Sequence, residues 1–340
     1  MKRTVTLLLL LIVATALAIS ATGDWLLLLG RYEGAESHFF FREIDGSFEF
    51  LFESTRGTIS FNGLNYMPVE CVKIHSDTYL LEANPLNFVV AVFQRDEERF
   101  GIRCKIDREV FVRLFYGPEG GDVFKITPVR PVKELLPQAL EARPPEEAGE
   151  LLPMDLVDIE MLDPKIKLDI RYAREDNFMG SSLYTEEKAF LQRPAAYALV
   201  KASEILNERG LGLVVHDAYR PWYVTKMFWD ATPDELKEFV ADPEKGSRHN
   251  RGCAVDVSLY SLETGEFLDF GGGYDEFSER SYIDFPGGST LQRYYRELLR
   301  ETMATVGFQP LKEEWWHFDF EGWERYPIGN ITFEELERSR

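Results

Sequence analysis

The 340-residue sequence predicts two folded parts, a mostly β segment followed by an α+β domain. Three observations carry that reading. Short runs rich in Phe, Val and Tyr recur between residues 24 and 130, prolines crowd residues 128–145, and helical and strand patterns mix from about Met154 onward. The mixing is not a regular alternation, so an α+β domain, with an antiparallel sheet and helices, is favoured over a doubly wound sheet. Hydrophobic residues make up 45% of the chain and charged residues 28%, which excludes wholesale disorder or a fibrous repeat. Lys and Arg number 38 against 58 Asp and Glu, a net charge of −20. Such a surface repels phosphate backbones and anionic headgroups, so nucleic acid is disfavoured as a partner. Three cysteines supply neither a disulfide framework nor a cysteine-rich metal module. Any metal here has to be held by His and carboxylates.

Residues 1–21 read as a signal peptide, which sends the protein to the periplasm or the extracellular space. Lys2 and Arg3 form a short basic region, and the apolar run Leu7 to Ile19 follows. Ala16, Ala18, Ser20 and Ala21 then offer small residues for cleavage. That run is shorter than the roughly 20 residues a bilayer-spanning helix needs. An uncleaved anchor, extended by Trp25 to Leu29, is the competing reading, and Asp24 interrupts it.

Residues 24–130 form the β-rich accessory domain. Its runs are Ser37 to Phe41, Phe48 to Phe52, Thr78 to Leu81, Phe88 to Phe93 and Val110 to Phe115. Turn signals such as Asp45-Gly46 and Asn62-Gly63 separate them, and Gly117-Pro118 and Gly120-Gly121 close the series. A meander, a sandwich or a small barrel fits this pattern. His38 and His75 stand alone there and read as ordinary packing or surface residues. For Cys71 and Cys104 a disulfide formed after export and two buried thiols are both open.

Residues 131–153 form a proline-rich linker, with Pro131, Pro137, Pro144 and Pro145 followed by Glu146 and Glu147. In residues 154–340, Pro194 and Gly210 bracket a helix whose Leu199, Ala202 and Leu206 share a face. Leu213 to Val215 is a short buried strand. Thr232-Pro233-Asp234-Glu235 has the form of a capping box opening a helix. A further helix runs from Ser289 to Val306 and stops at Gly307.

Three of the five histidines, His216, His249 and His317, lie in this second domain. Two imidazoles and one carboxylate suit a single zinc ion with a position left open for water. His249, Asp256 and His317 are the candidate ligands. Zinc brings the pKa of its water to about 7, and a carboxylate that is not a ligand must still move the proton. Glu314, three residues from His317, is the candidate. On a regular strand that spacing places two side chains on opposite faces. Glu314 and His317 therefore converge only if the backbone bulges or turns at Trp315-Trp316.

Together these residues resemble a family. Ser247-x-His249-x6-Asp256 and Glu314-x-x-His317 are similar to the zinc D,D-peptidases, and within them to the D-alanyl-D-alanine dipeptidases of the vancomycin-resistance type. The likeness covers roughly Asp163 to Tyr326. It includes Leu168-Asp169-Ile170-Arg171-Tyr172-Ala173, Asp176-Asn177-Phe178-x-Gly180, Asp217-Ala218-Tyr219-Arg220-Pro221 and Tyr274-Asp275-Glu276-Phe277. The resemblance implies hydrolysis of D-Ala-D-Ala, with zinc on His249, Asp256 and His317. It implies Glu314 as general base and then acid, and Arg220 facing the scissile carbonyl, where a permanent cation stabilises the oxyanion. Ser247 then contacts the substrate carboxylate, and Asp275 receives the free ammonium that restricts the enzyme to dipeptides. A salt bridge with Asp217 is the plain alternative for Arg220. His216 reads as a supporting or structural residue, not as a ligand.

Two positions depart from the family. Cys253 stands where serine is usual, and Tyr282-Ile283 follow Glu279-Arg280-Ser281 where histidines are frequent, so the departures fall on the pocket walls and not on the metal ligands. Two other readings compete with the dipeptidase. One is a zinc D,D-carboxypeptidase or endopeptidase acting on longer wall peptides, and the other is a non-catalytic cell-wall peptide-binding protein. A serine mechanism is disfavoured, because the chain has no Ser-x-x-Lys and no Lys-Thr-Gly.

Overall fold

The computed structural model describes residues 24–84, 87–116 and 125–338. The expected signal peptide lies outside these residues, as do Gly117-Pro118 and Gly120-Gly121. The chain divides into two compact units. One spans the described part of Met1–Gly121 together with Asp284–Tyr294; the other spans that of Asp122–Ile283 with Tyr295–Arg340.

Every strand pairing in the first unit is antiparallel. Its strands are β1 (Gly30–Glu33), β2 (His38–Ile44), β3 (Ser47–Glu53), β4 (Ile59–Phe61) and β5 (Leu64–His75), followed by β6 (Thr78–Asn84), β7 (Asn87–Arg95), β8 (Gly101–Ile106) and β9 (Glu109–Leu114). The order is β3-β2-β1-β9-β8-β7-β6-β5-β4, and a further β3–β5 pairing closes the sheet on itself. Of the three β architectures open to the sequence, the small barrel is the one observed. A barrel this narrow is filled by its own inward side chains. Tyr32, Phe39, Phe41, Phe50, Tyr79, Phe93 and Phe111 form that filling. The Phe39-Phe40-Phe41 run is buried on both faces, because Phe40 points the other way onto Phe61, Tyr66 and Phe285. Cys71 and Cys104 sit in the core as free thiols.

In the second unit, the first part of the stretch expected as a linker is folded into a helix. Helix α1 (Val132–Glu141) has Pro131 as its N-cap and buries Val132, Leu135 and Ala139 in the unit's main core. The prolines that gave the stretch its open look sit at the helix entry, inside it at Pro137, and beyond its end. Strands β10 (Leu156–Asp158), β11 (Lys167–Leu168), β12 (Phe190–Gln192), β13 (Leu211–Asp217), β14 (Ala254–Ser261), β15 (Phe308–Leu311) and β16 (Glu314–Phe320) follow. Five make a sheet in the order β11-β13-β14-β16-β15, antiparallel except for the β11–β13 pair, while β10 and β12 form a separate antiparallel pair.

Helix α2 (Arg193–Asn207) carries Pro194 in its first turn and buries Leu199, Ala202 and Leu206, as its periodicity predicts. Helix α3 (Trp222–Ala231) packs into the same core through Tyr223, Val224, Met227 and Phe228. The capping-box reading at Thr232 is corrected. Thr232 closes α3, its hydroxyl donating to the Phe228 carbonyl at 2.7 Å, and only a 3-10 turn (Asp234–Phe239) follows. Helix α4 (Thr290–Thr305) and the short α5 (Phe333–Arg338) follow, and a single α-helical turn, Ile159–Leu162, comes directly after β10. No helix among the described residues is long and apolar enough to cross a membrane.

Candidate metal centre

Strand register assembles the centre of the sheet. Asp217 on β13 pairs with Asp256 on β14, and Asp256 pairs with His317 on β16, which places the three residues in one row. The β13–β14 register shifts between Val215 and Asp217, with His216 as the extra residue. Between β15 and β16, Leu311 pairs with Glu314 but Pro310 pairs with Phe318, so β16 bulges across Trp315-Trp316-His317. This is the irregularity that convergence of Glu314 and His317 requires. Glu314 Oε2 lies 3.8 Å from His317 Nδ1.

His249 comes from a 3-10 turn, His249–Arg251, just before β14. Gly252 ends the turn at φ +65°, and a Cβ there would meet Leu156 Cδ2 at 2.4 Å. Hydrogen bonds lace this turn to the segment after β13. His249 Nδ1 meets the Ala218 carbonyl at 2.7 Å, the Arg220 amide donates to the His249 carbonyl at 3.1 Å, and Asn250 Nδ2 donates to the Arg220 carbonyl at 2.7 Å. The Ser247 hydroxyl accepts from the His249 amide at 3.2 Å.

His249, Asp256 and His317 each offer a ligand atom, all within 4.8 Å of one another, and all three residues are buried. Asp256 Oδ1 is 3.4 Å from His249 Nε2 and 3.0 Å from His317 Nδ1, and the two ring nitrogens are 3.2 Å apart. The heteroatom that each residue turns away from the cluster is also held. His249 Nδ1 has the Ala218 carbonyl, His317 Nε2 has Asp319 Oδ1 at 3.0 Å, and Asp256 Oδ2 accepts from the Tyr274 hydroxyl at 3.0 Å. Two imidazoles and a carboxylate, each oriented from behind, fit a tetrahedral zinc ion with one open position.

Charge crowds this pocket. Burial works against an ionised Asp256, but the two imidazoles outweigh it and hold the carboxyl well below the usual carboxylate range. Burial likewise disfavours a charged His317, yet its hydrogen bonds to Asp256 and Asp319 raise the ring to about 10. Part of the Glu314 side chain meets solvent, but the atoms packed around its carboxyl hold it above the ordinary value, with Asp256 adding to the effect. A carboxyl raised in this way is suited to taking and returning a proton.

Arg220 and Asp217 form the salt bridge, with Nη2 at 2.7 Å and Nε at 3.0 Å from Oδ2. Tyr184 donates to the other Asp217 oxygen at 2.6 Å, and the guanidinium lies over the Tyr172 and Phe228 rings at 5.2 and 5.0 Å. Asp217 thereby fixes the direction of Arg220. Asp275 has φ +56°, an unusual backbone for a residue with a side chain, and its carboxylate accepts from Tyr172 Oη at 3.0 and 3.2 Å. Its neighbour Glu276 braces the loop through Gly273 N at 2.8 Å and Arg280 at 2.7 Å. Burial, followed by the charges of Asp256 and Glu314, pushes the Asp275 carboxyl well up.

Among the described residues, His216 lies outside the ligand cluster. Its Nε2 meets Ser258 Oγ at 2.8 Å and its Nδ1 is 3.2 Å from Asp169 Oδ2. Cys253 is fully buried, and burial pushes its thiol up to about 12, which keeps it protonated and slow to oxidise. The sequence reading missed Asp319 and Tyr184, and it quoted Tyr172 and Tyr274 within motifs without giving them a role. Asp319 alone carried a local signal, since two residues past His317 on a strand is the same face.

The bulge in β16, a row of carboxylates and imidazoles, and a nearby guanidinium bring together the groups that a metallohydrolase site on an α+β domain would need. Residues 153–331 match the peptidase M15 family described as D-Ala-D-Ala dipeptidase, and the chain belongs to that family of dipeptidase metallopeptidases. It is 37% identical over 174 residues to the D-alanyl-D-alanine dipeptidase of Escherichia coli K12, covering 51% of this chain and 89% of that protein. It is 32% identical over 189 residues to the dipeptidase of the same name from Enterococcus faecium, covering 49% and 92%. The Streptomyces coelicolor dipeptidase of that name is 31% identical over 182 residues, covering 48% and 90%.

Proposed function

We propose that the chain is an exported, zinc-dependent D-Ala-D-Ala dipeptidase that takes up wall-derived dipeptide outside the cytoplasm. The convergence of His249, Asp256 and His317, with Glu314 at their edge, carries the reading. The likeness to D-alanyl-D-alanine dipeptidases supports the substrate. The basic and apolar N-terminus supports export.

Zinc, when bound by His249, Asp256 and His317, would act as a Lewis acid that lowers the pKa of a bound water to about 7 and polarises the scissile carbonyl. Glu314 takes a proton from the attacking water as the C–O bond forms. It then delivers that proton to the departing amine as the C–N bond breaks. Arg220, held by Asp217, faces the oxyanion. The Ser247 oxygen already accepts from the His249 amide, which leaves its hydroxyl proton for the substrate's carboxylate. An arriving ammonium would offset the crowding that keeps the Asp275 carboxyl high. A longer, acylated peptide brings no such charge and meets a desolvated acid.

The test is to incubate zinc-replete protein with D-Ala-D-Ala, L-Ala-L-Ala and N-acetyl-D-Ala-D-Ala. Hydrolysis confined to the first is expected. Preference for the acylated peptide would make the chain a carboxypeptidase, and inertness toward all three would leave a binding protein.

A further inference from the structure

Tyr274 is joined to the metal centre by a contact that the mechanism does not use. Its hydroxyl donates to Asp256 Oδ2 at 3.0 Å, while Asp256 Oδ1 faces His317 Nδ1 at 3.0 Å and His249 Nε2 at 3.4 Å. One carboxylate oxygen is therefore given to the ligand cluster and the other to a phenol. The Tyr274 ring is itself fixed from two sides. It stacks on His216, with centroids 4.7 Å apart and planes 22° apart, and the edge-on Trp316 ring lies at 5.5 Å. His216 cannot turn freely, because Ser258 and Asp169 hold its two nitrogens.

We infer that Tyr274 is a positioning residue that makes Asp256 a one-oxygen ligand. The inference rests on the reading of His249, Asp256 and His317 as the metal site. A carboxylate with both oxygens free can bind a cation through either or both. A donor locked onto Oδ2 leaves Oδ1 as the ligand and keeps the remaining coordination position open for water. The strand pair alone does not secure this, because it fixes the Asp256 backbone and leaves rotation about the carboxylate free. The same carboxylate oxygen holds the Tyr274 side chain next to Asp275, so the metal ligand and the proposed ammonium acceptor share one brace.

The test uses the full chain and Tyr274→Phe, which removes one oxygen and keeps the stacked ring. Both proteins are stripped of metal and titrated with Zn²⁺ and with Co²⁺ against a chromogenic chelator. Tyr274→Phe should bind Zn²⁺ about 10- to 100-fold more weakly, the range seen when an outer partner of a metal ligand is lost. Its Co²⁺ form should show weaker visible absorption, because a carboxylate bound through both oxygens raises the coordination number. Metal-free Tyr274→Phe should melt only a few degrees below the parent, the cost of one hydrogen bond to a buried carboxylate, and stay folded at the titration temperature. Unchanged Zn²⁺ affinity with an unchanged Co²⁺ spectrum overturns the inference. So does a metal-free variant that is partly unfolded at the titration temperature, which would assign the hydroxyl to the fold. Failure of the parent protein itself to bind one Zn²⁺ would overturn the metal reading as well, a separate and distinguishable result.

Discussion

At the scale of single residues, the site was legible where chemistry and spacing coincide. His249, Asp256, Glu314 and His317 could be proposed from the chain because zinc chemistry calls for those side-chain types and their spacing resembles that of the zinc D,D-peptidases. Tyr274, Tyr184 and Tyr172 could not, since a tyrosine is ordinary core material until the fold places a carboxylate beside it. Two expectations belong at this scale. Glu314→Gln keeps every proposed ligand and removes the proton carrier, so bound zinc should stay at one per chain while kcat falls by about 10²- to 10⁴-fold. Elemental analysis alongside steady-state kinetics checks this, and near-parental turnover would remove Glu314 from the mechanism. Asp169 supplies a pH dependence. Burial opposes its charge, but hydrogen bonds from His216, Arg174 and Arg171 outweigh that and hold it far below its unfolded value of about 3.9. A depressed carboxyl contributes stability that is complete above the unfolded pKa and drains away as pH falls toward the folded one. Asp169→Asn should therefore cost roughly 1–3 kcal/mol at neutral pH, and that gap should be flat above about pH 5 and shrink below about 4. Urea unfolding of both proteins at several pH values measures it, and a gap that widens on acidification reverses the sign and the argument.

At the scale of elements, the helices with clear caps were readable and the irregular pieces were not. The Pro194 start and Gly210 stop of α2 work through fixed φ on one side and permitted left-handed backbone on the other. Strand β5 escaped because Pro68, Glu70 and Lys73 break the apolar alternation in Leu64–His75. Helix α1 escaped because its prolines outweighed the Val132, Leu135, Ala139 stripe. The bulge in β16 was foreseen only as a condition on Glu314 and His317. The register at Pro310 and Phe318 meets that condition. The turn before β14 is the element on which ligand geometry depends most directly. Gly252 occupies φ +65° and leaves no room for a Cβ, with Leu156 Cδ2 at 2.4 Å and the Gln192 amide at 3.3 Å. Gly252→Ala adds a left-handed penalty and an overpacking strain, together about 1–3 kcal/mol. Because His249 sits in the same turn, Zn²⁺ affinity should fall along with stability. Denaturant melts and chelator competition on one preparation test the coupling, and full affinity in a destabilised variant would show that the turn does not set the ligand.

At the scale of the whole molecule, the division of the chain is not where composition places it. The proline-rich stretch belongs to the second unit, whose core includes Ile126, Val132, Leu135 and Ala139. The segment Asp284–Tyr294, deep in the second half of the sequence, belongs to the first unit, where Phe285 meets Phe40 and the Thr290 amide donates to Glu43 at 2.8 Å. A cut at Met154 respects the composition boundary but removes four core side chains. At about 1–3 kcal/mol for each buried apolar group, that loss is comparable to the 5–15 kcal/mol by which a whole domain is stable. A cut at Asp122 keeps those side chains, and every proposed ligand and acid–base group lies beyond it. Residues 122–340 should therefore unfold cooperatively, bind zinc and hydrolyse D-Ala-D-Ala, although Phe285 and Glu43's partners in 284–294 lose the barrel residues they pack on. Residues 154–340 should fail to unfold cooperatively. Calorimetry and kcat/KM on both fragments, each against the full chain, decide it. A stable, active 154–340 would mean that the α1 stripe contributes little. A folded, zinc-loaded 122–340 without turnover would mean that the barrel, acting through the Asp284–Tyr294 segment, is needed to complete the site.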